Sequence, residues 1–214
     1  MDGNHLAEAV AIGDGLGLGL NLGGILTPLP DIPRARILHL LHGLRDAGAD
    51  IRSIGQRVDL QEYFFTIIEH AAHEANRGKI DRWKNAIIHL AMDFQDNPFK
   101  DNLIRTLADL TEFDLTVLSM IYGTTFDRKR DLGNKVRDYF EHCDVGRPIT
   151  SQAIKRLASH ALLDEQGSSS RLAASGSFSY APNDLGLTLL RFISTDYSVV
   201  AGESEVPQSQ YAPD

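Results

Sequence analysis

The chain has 214 residues, with 21 Lys/Arg against 29 Asp/Glu, a formal charge of −8 and 43% hydrophobic residues. The acidic balance excludes a histone-like or generally basic nucleic-acid binder, and the apolar content is enough for a packed core in one domain or two small ones. A single cysteine, Cys143, excludes an internal disulfide and fits a reducing cytoplasm.

The first 33 residues read as an arm. Met1 to Glu8 is acidic, not the basic start of a secretory signal. Leu16, Leu18, Leu20 and Leu22 then alternate with Gly15, Gly17, Gly19 and Asn21. So many glycines make a poor helix, and Asp14 and Asn21 interrupt the apolar run, so a membrane span is not expected. No G-x-G-x-x-G follows a predicted strand, which removes the dinucleotide reading. Pro28, Pro30 and Pro33 impose an extended connector on residues 27–33.

Residues 34–110 predict a helical bundle. Ile37, Leu38, Leu41 and Leu44 keep helical spacing, with Gly48 as a stop. Ile51, Ile54 and Val58 continue an apolar stripe through a shorter piece. Asp59 is a candidate cap for a helix carrying Leu60, Phe64, Ile67, Ile68, Ala71 and Ala75, broken at Gly78. Lys79 opens the next, with Ile80, Trp83, Ile87, Leu90 and Phe94 inward. So short a break between amphipathic helices implies an antiparallel hairpin. Pro98 separates a helix whose apolar face is Leu103, Ile104, Leu107 and Leu110.

Residues 111–196 predict a winged-helix-like α+β module. Thr111 and Asp114 have capping-box spacing ahead of Leu115, Leu118 and Ile121. A charged helix over 125–143 carries Val136, Tyr139 and Phe140. Thr150 or Ser151 caps the expected recognition helix, Ser151 to Ala161, with Ile154, Leu157, Ala158 and Ala161 inward and Gln152, Lys155, Arg156 and Ser159 outward. Leu162 and Leu163 suit the first wing strand and Phe178 and Tyr180 the second. Asn183 or Asp184 caps a last helix with Leu185, Leu189, Leu190 and Ile193. The tail over 197–214 is polar and expected to be disordered.

The candidate nucleic-acid contacts follow from this reading. The N-terminal half of a recognition helix enters the major groove, where Lys155 and Arg156 meet phosphate or guanine and Gln152 meets adenine. Arg128, Lys129 and Arg130 are placed for backbone contact, and Arg171 near the wing tip. Residues 127–171 carry 9 Lys/Arg and 7 Asp/Glu, a net of +2 in an acidic chain. A protein dock is the competing use of the same face.

No catalytic motif stands out. There is no P-loop, nucleophile elbow or CxxC pair. His142 neighbours Cys143, but consecutive helical side chains diverge by about 100°. In Glu69-His70-Ala71-Ala72-His73-Glu74 the histidines are three apart, not the four of a zinc-protease helix, and no second Glu-x-x-His completes a di-iron set. A solvated face with local ion pairs is the plain reading, with a metal-dependent enzyme using His70 and His73 as the alternative. No cofactor, metal or small-molecule substrate is indicated.

The segments FKDNLIRTLADLTEFDLTVLSMIYG and AIKRLASHALLDE, followed by FSYAPNDLGLTLLRFIS, resemble the bacterial abortive-infection alpha type of helical protein over Phe99 to Ser194. The upstream TIIEHAAHEANRGKIDRWKNAIIHLAMD is similar in flavour. The chain departs from that pattern at Asn183-Asp184, where Leu-Thr is usual. The resemblance implies a role in phage exclusion or a related stress response, and brings no active site with it. Taken together, the chain reads as a mainly α, cytoplasmic, non-enzymatic binding protein whose partner is DNA or a protein.

Overall fold

The computed structural model describes residues 31–49, 58–92, 97–123, 132–166 and 179–195. Among these the protein is mainly helical, with one small antiparallel sheet. In order, the elements are α1 (Asp31–Asp46), α2 (Val58–His73), α3 (Arg77–Met92), α4 (Lys100–Asp109), α5 (Glu112–Gly123), α6 (Leu132–His142), α7 (Arg147–Ser159), β1 (Leu163–Gln166), β2 (Ser179–Pro182) and α8 (Asp184–Ile193). Most of the arm, the stripe at Ile51 and Ile54, Phe94, Phe178 and the tail lie outside the described residues.

α1 starts earlier than its sequence suggests. Pro33 reads as the close of an extended connector, yet it sits in the first turn of the helix. The amides of a first turn have no intrahelical acceptor, so a proline there removes no hydrogen bond. Ile37, Leu38, Leu41 and Leu44 are buried as predicted, and the helix stops at Gly48, whose φ is 70°.

α1 packs on α2 and α3, and α2 packs on α3 across the short connection Glu74-Ala75-Asn76. Gly78 does not break a helix here. It lies in the first turn of α3, because Asn76 caps that helix, its Oδ1 accepting the Lys79 N–H at 3.3 Å. Ala75, expected on the α2 face, falls beyond its end and is exposed. Basic side chains close two helix C-termini: Arg36 Nη1 donates to Ala72 O at 3.1 Å, and Lys79 Nζ to Ala108 O at 2.9 Å.

The capping box at the head of α5 forms as its sequence predicts. The Asp114 N–H donates to Thr111 Oγ1 at 3.2 Å, and Asp114 Oδ2 accepts from the Thr111 N–H at 2.8 Å and hydroxyl at 2.7 Å. α5 and α6 pack on α7, β1 lies against α7, and β2 lies against α6. The strands pair in the register Leu163 with Pro182 through Gln166 with Ser179. α8 packs on α5 and also on α3. Asn85 and His89 of α3 reach its C-terminal carbonyls, at Ile193 O and Ser194 O, each at 2.9 Å. One apolar core therefore runs from Ile37 to Ile193, with Trp83, Phe64 and Phe192 as its largest fully buried side chains.

α6 and α7 end in the same way. The Val145 N–H donates to Phe140 O at 2.9 Å around Asp144, whose φ is 60°. The Leu162 N–H donates to Leu157 O at 2.9 Å around Ala161, whose φ is 56°. This left-handed position favours glycine, and a Cβ there is strained. Ala161 is exposed, so its methyl buries nothing in return. Ala161→Gly is therefore expected to stabilise the protein by about 0.5–1 kcal/mol. Urea melts should show a higher midpoint with an unchanged slope; a lower midpoint would contradict the strain argument.

Candidate functional site

α7 begins four residues before its expected cap. Gly146 is the N-cap residue and Pro148 occupies the first turn. Thr150, read from sequence as a cap, is instead buried inside the helix, and its Oγ1 has no hydrogen-bond partner among the described residues. The inward set is Thr150, Ala153, Ile154 and Leu157. Ala161, expected inward, is exposed because the chain has already turned there. Only Cys143-Asp144-Val145-Gly146 separates α6 from α7. Arg137 of α6 fixes their angle by donating from Nε to Ser151 Oγ at 2.9 Å and from Nη1 to Asn134 Oδ1 at 2.6 Å.

The outward face of α7 carries three of the seven sequence-predicted contact residues. Gln152 and Lys155 are exposed. Arg156 is engaged inside the protein. Its Nε lies 3.2 and 3.0 Å from Asp114 Oδ1 and Oδ2, and its Nη2 lies 2.7 Å from Oδ1. The Asp114 side chain is 0% exposed and that of Arg156 40%. Donation to the Asp114 carboxylate raises the guanidinium pKa further above its ordinary value, so the cation persists at any working pH. Asp114 thus accepts from a backbone amide, a hydroxyl and a guanidinium, a full complement for a buried carboxylate. Arg128, Lys129, Arg130 and Arg171 lie outside the described residues.

The surroundings of this face are electrically balanced. From Leu132 to Gln166 there are five Lys/Arg and five Asp/Glu. The excess of two positive charges over 127–171 rests on Arg128, Lys129, Arg130 and Arg171, set against Asp127 and Asp131, none of them described. Arg147, at the head of α7, is paired with Asp138 and with Glu141 Oε2, the latter at 2.7 Å, and these carboxylates raise its pKa. Two large apolar side chains flank the α6–α7 turn instead. Tyr139 is 51% exposed and Ile149 is 55% exposed. Helical periodicity places Tyr139 inside with Phe140, but its ring meets that of Phe140 only edge-on, at 5.3 Å.

A second constellation lies on the other half of the fold. His70, His73, Glu74, Lys79, Trp83 and Ala108 line a cleft of about 170 Å³. The His70 imidazole stacks on Trp83, with centroids 5.2 Å apart and planes 5° from parallel. Glu74 Oε1 accepts the Asn76 N–H at 2.9 Å, and Oε2 lies 3.3 Å from Lys79 Nζ. No group of three or more His, Cys, Asp or Glu among the described residues is placed to hold a metal ion. Cys143 is exposed and free. No described helix is long and apolar enough to cross a membrane.

Comparison of the chain with protein families, with characterised proteins and with solved structures finds no match.

Proposed function

We propose that the chain is a non-enzymatic binding protein and that its α5–α8 portion is a winged-helix-like module docking a protein partner. Three helices with a four-residue turn containing Gly146, followed by an antiparallel pair and a closing helix, support the module reading. The observation that carries the protein partner is the character of the α6–α7 face. Arg156 and Arg147 are committed to carboxylates, while Tyr139 and Ile149 stand exposed beside the turn. Aromatic and aliphatic anchors with few uncommitted charges suit protein docking, whereas duplex binding draws its affinity from cations facing phosphates. The resemblance to abortive-infection alpha proteins supports a setting in phage exclusion or a related stress response, and an exposed thiol suits a cytoplasmic location.

A second reading keeps DNA as the partner, because Gln152 and Lys155 are exposed three residues apart on one helical face. Affinity capture with the full chain from the cells that make it separates the two. The partner should be lost with Tyr139→Ser combined with Ile149→Glu and retained with Lys155→Ala. Duplex binding that falls steeply with salt and is weakened by Lys155→Ala would overturn the protein-docking reading.

A further inference from the structure

We propose that the Leu/Gly arm ahead of α1 folds back on its own chain and lays Leu16, Leu18, Leu20 and Leu22 over the exposed apolar face formed by Phe113, Tyr139 and Ile149. This is the face assigned above to a protein partner. The contact rests on that reading only for its consequence, that the arm and the partner compete.

The face is built from side chains in contact. Phe113, at the head of α5, is half-buried and meets Phe140 edge-on at 5.2 Å. Phe140 meets Tyr139 edge-on at 5.3 Å. A row of three rings thus runs outward from the α5 head and ends on a side chain that is 51% exposed. Ile149, 55% exposed, shares one stripe of α7 with Ala153 and Arg156. Arg156 turns that stripe toward α5 through Asp114, the neighbour of Phe113. Apolar surface left in water here gains from an apolar cover.

The chain carries a segment that needs such a surface. Gly15 to Pro30 has no charged residue and holds six leucines and an isoleucine, in a chain that is 23% charged. A solvated tail has the opposite composition. With five glycines in sixteen residues, the segment is too short and too glycine-rich for a membrane-spanning helix. Extended, its period-two alternation lines the four leucines along one side about 7 Å apart, so roughly two in succession span the row of rings. The root of the arm lies at the matching end of the fold. α1 begins at Asp31, and Arg36 in its second turn reaches the Ala72 carbonyl near the end of α2. α3 starts just beyond, and its head adjoins the α5 head: a Cβ on Gly78 would lie 3.3 Å from Glu112 Cδ, and Arg82 Nη2 lies 3.4 Å from Glu112 Oε1. Phe113 is the next residue. Leu22 is nine residues from Asp31, a reach of about 30 Å when extended. Tethering supplies an effective concentration on the order of 1 mM, which fills a weak apolar contact without a second molecule.

Cys143 is the single cysteine, is exposed, and stands one turn beyond Tyr139, so it reports on this face. The full-length ¹⁵N-labelled protein is given a nitroxide on Cys143. The amide peaks of Gly15, Gly17 and Gly19 are expected to broaden, to recover when the nitroxide is reduced, and to broaden equally after dilution. Leu18→Ser with Leu20→Ser should abolish the broadening, as should Tyr139→Ser with Ile149→Glu. Without the label, maleimide should react with Cys143 about threefold faster in the Leu18→Ser, Leu20→Ser chain, because the arm no longer shields the thiol. Glycine peaks at full intensity beside the oxidised label, or equal maleimide rates, would overturn the contact. Broadening that fades on dilution would overturn it too, assigning the leucines to the face of a second copy. The readout needs no partner. Absent broadening removes the arm contact and leaves protein docking standing, whereas a partner captured without regard to Tyr139 and Ile149 does the reverse.

Discussion

Replacing Arg156 with alanine should destabilise the protein by about 3 kcal/mol, more than replacing Asp114 with asparagine. The asymmetry follows from exposure. Asp114 is fully buried, while the Arg156 side chain retains 40% of its surface. Without the guanidinium, the Asp114 carboxylate stays in the core with only the amide and hydroxyl of Thr111. An uncompensated buried charge is among the costliest single-residue defects. Without the carboxylate charge, Arg156 can turn toward water. The asparagine side chain still caps α5 in part, so Asp114→Asn should cost about 1–2 kcal/mol. Arg156→Ala combined with Asp114→Asn should be less damaging than the sum of the single changes, with a coupling of about 2 kcal/mol. Chemical denaturation of the natural protein and these variants tests this. Additive effects, or an Arg156→Ala protein as stable as the natural one, would remove the pair from the forces that join α5 to α7.

The same experiment bears on function. A cation that touched DNA would change binding while leaving the melt unchanged. Arg156 is expected to do the reverse, since its bidentate contact is spent on holding α7 against α5. Lys155, one residue earlier and exposed, is the better probe of any phosphate contact.

What could be read from sequence is what short-range chemistry dictates. The buried faces of α1 to α5 follow from apolar residues three or four apart, and the Thr111 and Asn183 caps from hydroxyl or amide groups just ahead of such stripes. The β1–β2 pair is legible in part, from Leu163 and Tyr180 on either side of a Gly/Ser-rich stretch, while Leu162 precedes β1 and Phe178 lies outside the described residues. Boundaries went astray at prolines and glycines. Pro33 reads as the close of a connector but sits in a first turn, Thr150 or Ser151 reads as a cap but Gly146 holds that place, and Gly78 reads as a stop but follows an Asn76 cap. The candidate site was less legible because its decisive contacts are long-range. Nothing near Arg156 in sequence announces Asp114, 42 residues away, as its partner. Tyr139 keeps helical spacing with Val136 and Phe140, yet α6 buries a narrower stripe than its apolar residues define. Lys79 reads only as the opening of a helix, and the placement of the α4 C-terminus reveals it as a buried donor.

Gly186→Ala should be at least as damaging as any cap removal, at roughly 3 kcal/mol and a fall of about 10 °C in thermal midpoint. The reason is a crossing of three elements with no room for a methyl group. A Cβ at Gly186 would overlap the Tyr122 hydroxyl and the Leu162 carbonyl, and would lie 2.8 Å from Tyr122 Cζ. The groups it would displace are bonded to one another. The Tyr122 hydroxyl accepts the Asn183 N–H at 2.8 Å, and its single proton is shared between Leu162 O and Asn183 O, at 2.9 and 2.8 Å. Asn183 in turn caps α8 by accepting the Gly186 N–H at 2.9 Å, and its Nδ2 donates to Ala161 O at 2.8 Å and Asp164 Oδ1 at 2.9 Å. α5, the start of β1 and the head of α8 are therefore fixed at one point. Tyr122→Phe removes the hydroxyl and leaves part-buried backbone groups short of a partner, at a cost of about 1–2 kcal/mol. The phenylalanine also clears part of the space the new methyl needs, so adding Gly186→Ala to Tyr122→Phe should cost less than the two separate losses combined. If Gly186→Ala melts within a degree of the natural protein, α8 does not approach Tyr122 and Leu162 this closely. The hairpin and α8 would then not be held against α5 as a unit.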